Sequence, residues 1–381
     1  EAYPSGYFSL TADVRGDSIK AYLNGELIGA VEDSTYDSGK IGLFVYANSG
    51  AYFDSVMVSE DLFIYEKPNI ETTYPVTVDR MPYIQRPTTE SAEIAWRTVQ
   101  PFVGKVEVGQ EKGVYTQTQT EPASTRKHHL LIGGLEPDTR YFYRVSNGNE
   151  VIMEDESFKT AKPDSMKQLS FFVLGDSGVN TDNQRAVKDQ MVQSHNADAV
   201  DFLIHVGDVH QGDGSAYDDI YFSIYEELLK QMNFFLSIGN HDTYTDNAAP
   251  YLDDFYLPDN NPEQSERYYS YRWANAYFIV LDSNIDMAPG SPQYSFLLSE
   301  LQSERQLTAD WTFVYFHHPP YCEYWPAWDG DPVVREHLMP LFEDYEVDMV
   351  LNGHTHAYEK GELNGVTYVI SGGGGGGLDT Y

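Results

Sequence analysis

Three hydropathy textures follow one another along the chain. From residue 6 to residue 58, apolar and polar positions alternate in short runs, YFSLTADV, SIKAYLNG, KIGLFVYA and AYFDSVMV, parted by Arg15-Gly16-Asp17, Asn24-Gly25 and Ser38-Gly39. Successive side chains of a strand face opposite ways, and Gly or Asn in the gaps supplies the positive φ of tight turns. Residues 1–66 are therefore predicted to form an antiparallel β module. These strands make roughly half of a two-sheet sandwich, and the edge left open is one that proteins normally pair or cover. After Glu66-Lys67-Pro68 a second alternating segment, residues 67–163, contains AEIAWRT, KVEVGQ, HHLLIGGL, TRYFYRVS and ESFKTA, a second β sandwich. Beyond Ala161-Lys162-Pro163 the texture changes. Residues 164–381 alternate apolar strands (LSFFVL, AVDFLIHV, NFFLSI, YYSYRW with AYFIVL, WTFVYF, VDMVLN, VTYVIS) with helical patterns: NQRAVKDQMVQSH behind the cap candidates Asn180 and Thr181, then DDIYFSIYEELLKQM, PQYSFLLSELQSER and VVREHLMPLFEDY. This is an α/β layered domain.

Composition then removes several classes of function. Against 59 Asp and Glu stand 24 Lys and Arg, a net charge of −35 over 381 residues, and no basic run exists to meet nucleic-acid phosphates or an anionic membrane. No apolar run approaches the roughly 20 residues of a membrane span, and the opening EAYPSGYFSL lacks the layout of a signal peptide. A single cysteine, Cys322, excludes an intrachain disulfide and a Cys-rich zinc site. Thirty tyrosines beside that one cysteine, on a strongly acidic chain, predict a secreted or cell-surface prokaryotic protein whose export signal has gone.

The chemistry lies where the apolar strands of residues 164–381 end. LSFFVL runs into Gly175-Asp176-Ser177-Gly178, FLIHV into Gly207-Asp208, FFLSI into Gly239-Asn240-His241-Asp242, TFVYF into His317-His318-Pro319, and DMVLN into Gly353-His354-Thr355-His356. Ligands of open α/β sheets bind beyond the carboxyl ends of the strands, so five tips deliver carboxylates, an amide and several imidazoles to one rim. That mixture of oxygen and nitrogen donors suits Zn, Fe or Mn better than Ca or Mg. There are more donors than one ion takes, and a carboxylate can bridge, so a dinuclear centre is predicted.

GDSG, GDVH, GNHD, FHHPP and GHTHAYEK together resemble the calcineurin-like metallophosphoesterases, and the resemblance extends over about residues 75–381. The stretch 135–141, with Tyr141 as a tyrosine corner and Trp96 in the core, resembles a fibronectin type III turn. A fibronectin-like unit in that position points to the purple acid phosphatase branch. Residues 6–58 resemble the closing half of a laminin-G-like or concanavalin-like jelly roll, which makes a glycan or cell-surface polymer a partner class for that module. What the resemblance implies is a four-layer fold in which helices flank two packed mixed sheets, and hydrolysis of a small phosphoester, as phosphatase or phosphodiesterase, by a metal-bound hydroxide. Asp176 and His356 would hold the first of two di- or trivalent ions of Fe, Zn or Mn, Asp208 would bridge, and Asn240, His317 and His354 would hold the second. His241 would face the phosphate, with Asp242 as its orienting partner. The competing reading is an extracellular structural or assembly protein carrying a vestigial metallophosphoesterase domain and binding glycans through its first module.

Two departures from the family pattern bear on the first metal. The purple branch has a tyrosine three residues after the bridging aspartate, where Gln211 stands here, and other members have a histidine two residues after the first aspartate, where Gly178 stands. His210 or Gln211 is left to substitute. The partial module at one end and the short second sheet at the other read as part of a longer chain, with missing segments or further copies in a homo-oligomer completing the edges. Among the other histidines, His205 reads as a core residue, His318 as support for His317, and His128 and His129 as structural. The run 372–377 is either a flexible tail or a loop beside the metals, and Cys322 with Tyr321, Tyr324, Trp325 and Trp328 either walls the pocket or simply packs. Without a tyrosinate ligand the metal-loaded protein is expected to be colourless; a visible tyrosinate-to-iron absorption band would contradict the assignment at Gln211.

Overall fold

The computed structural model describes residues 10–15, 18–23, 26–32, 78–148, 150–325 and 328–379, in two compact units, Glu1–Tyr74 and Pro75–Tyr381. The first unit contains β1 (Leu10–Arg15), β2 (Ser18–Leu23) and β3 (Glu26–Glu32), an antiparallel sheet in that order. The predicted strands KIGLFVYA and AYFDSVMV lie outside the described residues.

The second unit opens with β4 (Val78–Gln85), β5 (Ser91–Phe102), β6 (Gly104–Gly109), β7 (Gln117–Thr120), β8 (Thr125–Gly133), β9 (Arg140–Asn147) and β10 (Glu150–Lys159). They form a three-stranded sheet, β4-β5-β8, and a four-stranded one, β10-β9-β6-β7. Inward side chains of both sheets share one core, including Ile94, Trp96, Val106, Ile132, Tyr143, Val145 and Phe158. Alternation along each strand dictates this arrangement, because only every second residue reaches the core. Tyr141 closes the corner as its position predicts, its hydroxyl accepting the Glu136 N–H at 2.9 Å.

Beyond it, β11 (Phe171–Leu174), β12 (Phe202–His205) and β13 (Phe234–Leu236) make a parallel sheet. A six-stranded sheet follows, β14 (Tyr269–Trp273), β15 (Ala276–Val280), β16 (Trp311–Tyr315), β17 (Met349–Asn352), β19 (Val366–Ser371) and β18 (Tyr358–Leu363) in spatial order. Its inner strands are parallel and its two edge strands antiparallel. Mixed pairing therefore occurs in one sheet rather than two; the described strands of the smaller sheet are joined by helices, and such crossovers return the chain in the same direction.

One core lies around the smaller sheet and against the inner face of the larger, through Phe202, Phe235, Tyr271, Phe278 and Tyr315. The other face of the larger sheet, with Tyr277, Ile279, Val314 and Val350, packs on Phe296, Leu297, Met339 and Phe342. These come from helices α4 (Pro292–Leu301) and α6 (Met339–Asp344), while α1 (Asp182–Ala197) and α2 (Ser223–Leu229) pack on the smaller sheet; α3 (Ala249–Asp254) and α5 (Glu304–Leu307) are short. Four layers result. Thr181 caps α1 as predicted, its hydroxyl accepting the Gln184 N–H. The helical pattern at 333–345 starts as a π turn, Val334–Leu338, before α6; Pro340 has no N–H to donate, and the wider turn accommodates it.

Charged groups join the sandwich to the layered part. Arg80 donates to Asp218 at 2.7 Å, pairs with Asp254 at 3.0 Å and lies 3.7 Å above the Phe222 ring. Arg97 pairs with Asp79 at 2.6 Å and also with Asp218. Burial by itself would raise the Asp218 pKa, but the two guanidiniums outweigh it and hold the carboxyl below its usual range. Its stabilising effect is thus present above the ordinary carboxylate pKa and is lost as pH falls through the lowered folded value. Arg80→Met is expected to cost about 3 kcal/mol by chemical denaturation, since it removes the buried partner of Asp218 and Asp254 and leaves them only the more exposed Arg97. Lys167→Met, which removes an exposed pair with Asp310, should cost under about 1 kcal/mol; equal costs would show that the network carries no interface.

Candidate metal centre

Each predicted donor is placed by the turn that ends its strand. Asp176, Asp208 and His354 adopt φ of 60°, 52° and 73°, a left-handed backbone that costs non-glycine residues about 1–3 kcal/mol and persists only where the surroundings impose it. Here it turns each side chain from its strand toward the rim. Gly207, at φ 93°, permits the close passage of β12 beneath His317: a Cβ there would lie 2.5 Å from the His317 Nδ1.

Four donor atoms converge. The Asn240 Oδ1 lies 3.1 Å from the His317 Nε2 and 3.0 Å from the His354 Nδ1; those two nitrogens are 3.2 Å apart, and the Asp208 Oδ2 is 3.4 Å from the His317 Nε2. Donors around an ion at about 2.0–2.2 Å stand about 3.0–3.5 Å apart, so these spacings match an ion-sized gap. The opposite nitrogen of His317 is 3.0 Å from the Val206 carbonyl. That bond places a proton on Nδ1 and leaves Nε2 as the nitrogen that would hold an ion, the usual tie behind a ligating imidazole.

A second group adjoins it. Asp176 is fully buried, and its Oδ1 is 3.7 Å from the His356 Nε2. His356 is tied from behind, its Nδ1 at 2.7 Å from the Gly377 carbonyl, and donor oxygens of Asp176 and Asp208 lie within 4.8 Å of each other and of the His317 nitrogen. The two carboxylates make a site that demands positive charge. Burial pushes the Asp176 pKa well up, with Asp208 adding to it. Burial also opposes the His317 cation, but the Asp208 carboxylate outweighs it and lifts the His317 pKa to about 9. Two buried acids that hold an imidazole in its cationic form fit metal cations in its place.

Other expectations are redistributed. Asp242 does not orient His241: its carboxylate accepts N–H groups of Val209 at 3.2 Å, His210 at 3.0 Å and Gly239 at 2.9 Å, and the Tyr217 hydroxyl at 3.1 Å. It clamps the Asp208 loop to the Asn240 loop, and burial with Asp208 nearby pushes its pKa up to about 7. His241 is held instead by the Gly212 carbonyl, 3.0 Å from its Nδ1, with its Nε2 4.0 Å from the Asp208 Oδ2. His210 points away, its Nδ1 accepting the Gly212 N–H at 2.7 Å, whereas the Gln211 Nε2 reaches the Asp176 Oδ1 at 3.4 Å. His205 is a buried core residue bonded to the Ser177 hydroxyl at 2.9 Å, and His318 to that of Ser283 at 2.8 Å. The glycine run wraps the site, with Gly374 and Gly376 donating to the Gly175 and Asp176 carbonyls at 2.9 and 3.0 Å. Asp379, which no sequence pattern marks, accepts the His356 N–H at 2.8 Å.

A family model for the calcineurin-like phosphoesterases matches residues 169–358, and one for the purple acid phosphatase N-terminal domain matches residues 82–160. The chain carries a calcineurin-like phosphoesterase domain behind a purple acid phosphatase N-terminal domain. A purple acid phosphatase of Glycine max is 27% identical over 260 residues, 64% of this chain and 54% of that protein. The Fe(3+)-Zn(2+) purple acid phosphatase 12 of Arabidopsis thaliana is 26% identical over 64% of this chain and 54% of its own length. The chain thus spans about half the length of these relatives. In fold, the structure of a purple acid phosphatase from yellow lupin (Lupinus luteus) seeds matches with a TM-score of 0.67 at 19% identity, covering 79% of this chain and 65% of that one.

Gly178, where many phosphoesterase domains place a histidine, is closed to any side chain. A Cβ built on it would overlap the Val209 carbonyl oxygen and approach the His210 Cα to 2.7 Å. The loop after Asp208 occupies the space a side chain would need, and the Gln211 N–H bonds the Gly178 carbonyl at 2.9 Å. Gly178→His is therefore expected to lower both the melting temperature and the affinity for Zn or Mn measured by titration calorimetry. A gain in affinity would show that the loop yields and that the position is open.

Proposed function

We propose that this protein is a metal-dependent phosphoester hydrolase with a dinuclear centre. The observation that carries the reading is the convergence of Asp208, Asn240, His317 and His354 on one ion-sized gap, with Asp176 and His356 adjoining it. Asp176, Asp208 and His356, with the Gln211 amide beside them, would hold the first ion; Asp208, Asn240, His317 and His354 would hold the second. When bound, such a pair lowers the pKa of water and neutralises charge building on the phosphoryl oxygens. The donor set contains no phenolate, which favours two divalent ions of Zn, Mn or Fe over the ferric site named for the Arabidopsis relative.

His241 supplies the remaining chemistry. Its Nδ1 proton is held by the Gly212 carbonyl, which leaves Nε2 to face the site; as an imidazolium the ring would donate its Nε2 proton in a hydrogen bond to a phosphoryl oxygen or pass it to the departing oxygen. Asn240 contributes a neutral oxygen, so the incoming phosphate meets no further negative charge. The acidic coat that gives the chain its net charge of −35 repels long nucleic acids and leaves small phosphoesters as the fitting substrates.

The metal-loaded full chain is expected to hydrolyse p-nitrophenyl phosphate, and His241→Ala to lower kcat/KM by about 10²- to 10⁴-fold with metal content unchanged. Full activity in the variant would remove His241 from the mechanism. A wild-type protein that holds two ions and hydrolyses neither mono- nor diester would instead favour the vestigial, structural reading.

A further inference from the structure

Aromatic rings stand on both sides of the donor cluster. On one side, the Trp325 and Trp328 rings each lie 5.1 Å from the His354 ring, at 67° and 73° to it, and 5.7 Å from one another. On the other, Tyr244 follows His241 on the same turn, its ring 4.8 Å from the His241 ring and its hydroxyl 3.2 Å from the Asn240 Nδ2. Because the His354 Nδ1 and the Asn240 Oδ1 are only 3.0 Å apart, both sets of rings border the same donor cluster. Tyr244 is 60% exposed, a large apolar surface held in water at the mouth of a polar site.

Both walls are fixed in place. The Trp325 indole N–H donates at 2.8 Å to the Asp379 Oδ2, the same oxygen that accepts the His356 N–H. The base of that loop is tied by Arg335, which donates to the Pro320 and Asp329 carbonyls at 2.8 and 2.7 Å, and by Glu359, which accepts the N–H groups of Glu323 and Tyr324 at 2.9 and 3.1 Å. Behind Tyr244, Thr245 bonds the Asp213 carbonyl at 2.7 Å, and Asp246, Asn247 and Ala248 follow with φ of 46°, 52° and 65°. Three successive non-glycine residues in left-handed conformation are costly, and such turns persist where the surroundings hold them for a purpose. Rings already ordered bind a flat group with little further loss of entropy.

We infer that Tyr244 on one side and Trp325 and Trp328 on the other select phosphoesters whose leaving group is a flat aromatic ring. This rests on the phosphoester reading of the same site, because it is the phosphoryl group that seats the ring between the walls. Aryl phosphates put the ring one oxygen away from phosphorus, within reach of rings that touch His241 and His354, whereas an alkyl group of similar volume has no π face to stack.

The test uses the zinc-loaded full chain and inert ligands, so that binding is read without turnover. Phenylphosphonate and cyclohexylphosphonate are titrated calorimetrically into wild type, Tyr244→Ala, Tyr244→Phe and Trp328→Ala, with zinc per chain measured for each. Wild type is expected to prefer the phenyl ligand about fivefold or more. Both alanine variants should bring that ratio toward one with zinc retained, and Tyr244→Phe should keep it. Equal binding of the two ligands by wild type, or an undiminished ratio in both alanine variants, overturns the inference. Loss of zinc in Trp328→Ala would make the tryptophans props for His354 and overturn their part in it. A preference for phenylphosphonate without hydrolysis of any phosphoester leaves the aromatic subsite standing while the hydrolase reading fails.

Discussion

Two carboxylates, Asp176 and Asp208, are buried next to each other at the ends of adjacent parallel strands. Among the described residues no Lys or Arg pairs with them; the groups turned toward them are imidazoles, an amide and backbone N–H donors such as that of His354, 3.0 Å from Asp176. Bringing two carboxylates out of water is expensive, and the His317 imidazole beside Asp208 offers one cation against two acids, which leaves room for metal charge. Much else at the rim follows from holding these acids in position. The left-handed turns at both aspartates, the missing side chain at Gly207 and the Asp242 clamp on the neighbouring loops keep the oxygens in position.

The fold makes that geometry affordable by placing it at the edge of rigid layers. The parallel strands of the two sheets send their carboxyl ends to one rim, so residues far apart in the chain, Asn240 and His354 among them, meet within hydrogen-bonding distance. Among the described residues the sandwich of residues 78–159 contributes no donor atom to the cluster. Its part is mechanical: Arg80 and Arg97 bind Asp218 at the start of the turn leading into α2, and Tyr83 donates to the Asp254 carbonyl at 3.0 Å at the end of α3. Those segments pack beneath Tyr217, whose hydroxyl bonds Asp242. A chain of contacts thus runs from the sandwich to the clamp behind Asp208.

Much of this was legible in the sequence because it is encoded locally. An apolar strand followed by Gly-Asp, Gly-Asn-His or His-x-His names both the element and the donor, and five such tips in order specify a rim. The roles that sequence reasoning misplaced depend on partners distant along the chain. Asp242 stands beside His241 in sequence, but its hydrogen-bond partners are Val209, His210 and Tyr217. Gly178 reads as an absent ligand, yet its meaning is steric, set by a carbonyl on another loop. His210 and Gln211 were indistinguishable as substitutes until the Gly212 N–H was found to occupy the His210 Nδ1. The brace at Arg80 gave no signal either, since any surface strand carries arginines.

The two proposed metal positions would therefore be unequal in this chain: the second would draw on four converging donors, and the first on Asp176, His356, the bridging Asp208 and the Gln211 amide. The most direct measurement is a titration of the metal-free full chain with zinc or manganese, following bound ions per chain and hydrolysis of an aryl phosphate together. The account predicts two binding events, the tighter filling the position of Asn240, His317 and His354, with hydrolysis rising only as the weaker one fills. Full hydrolysis at one ion per chain, or no binding at all, would contradict it.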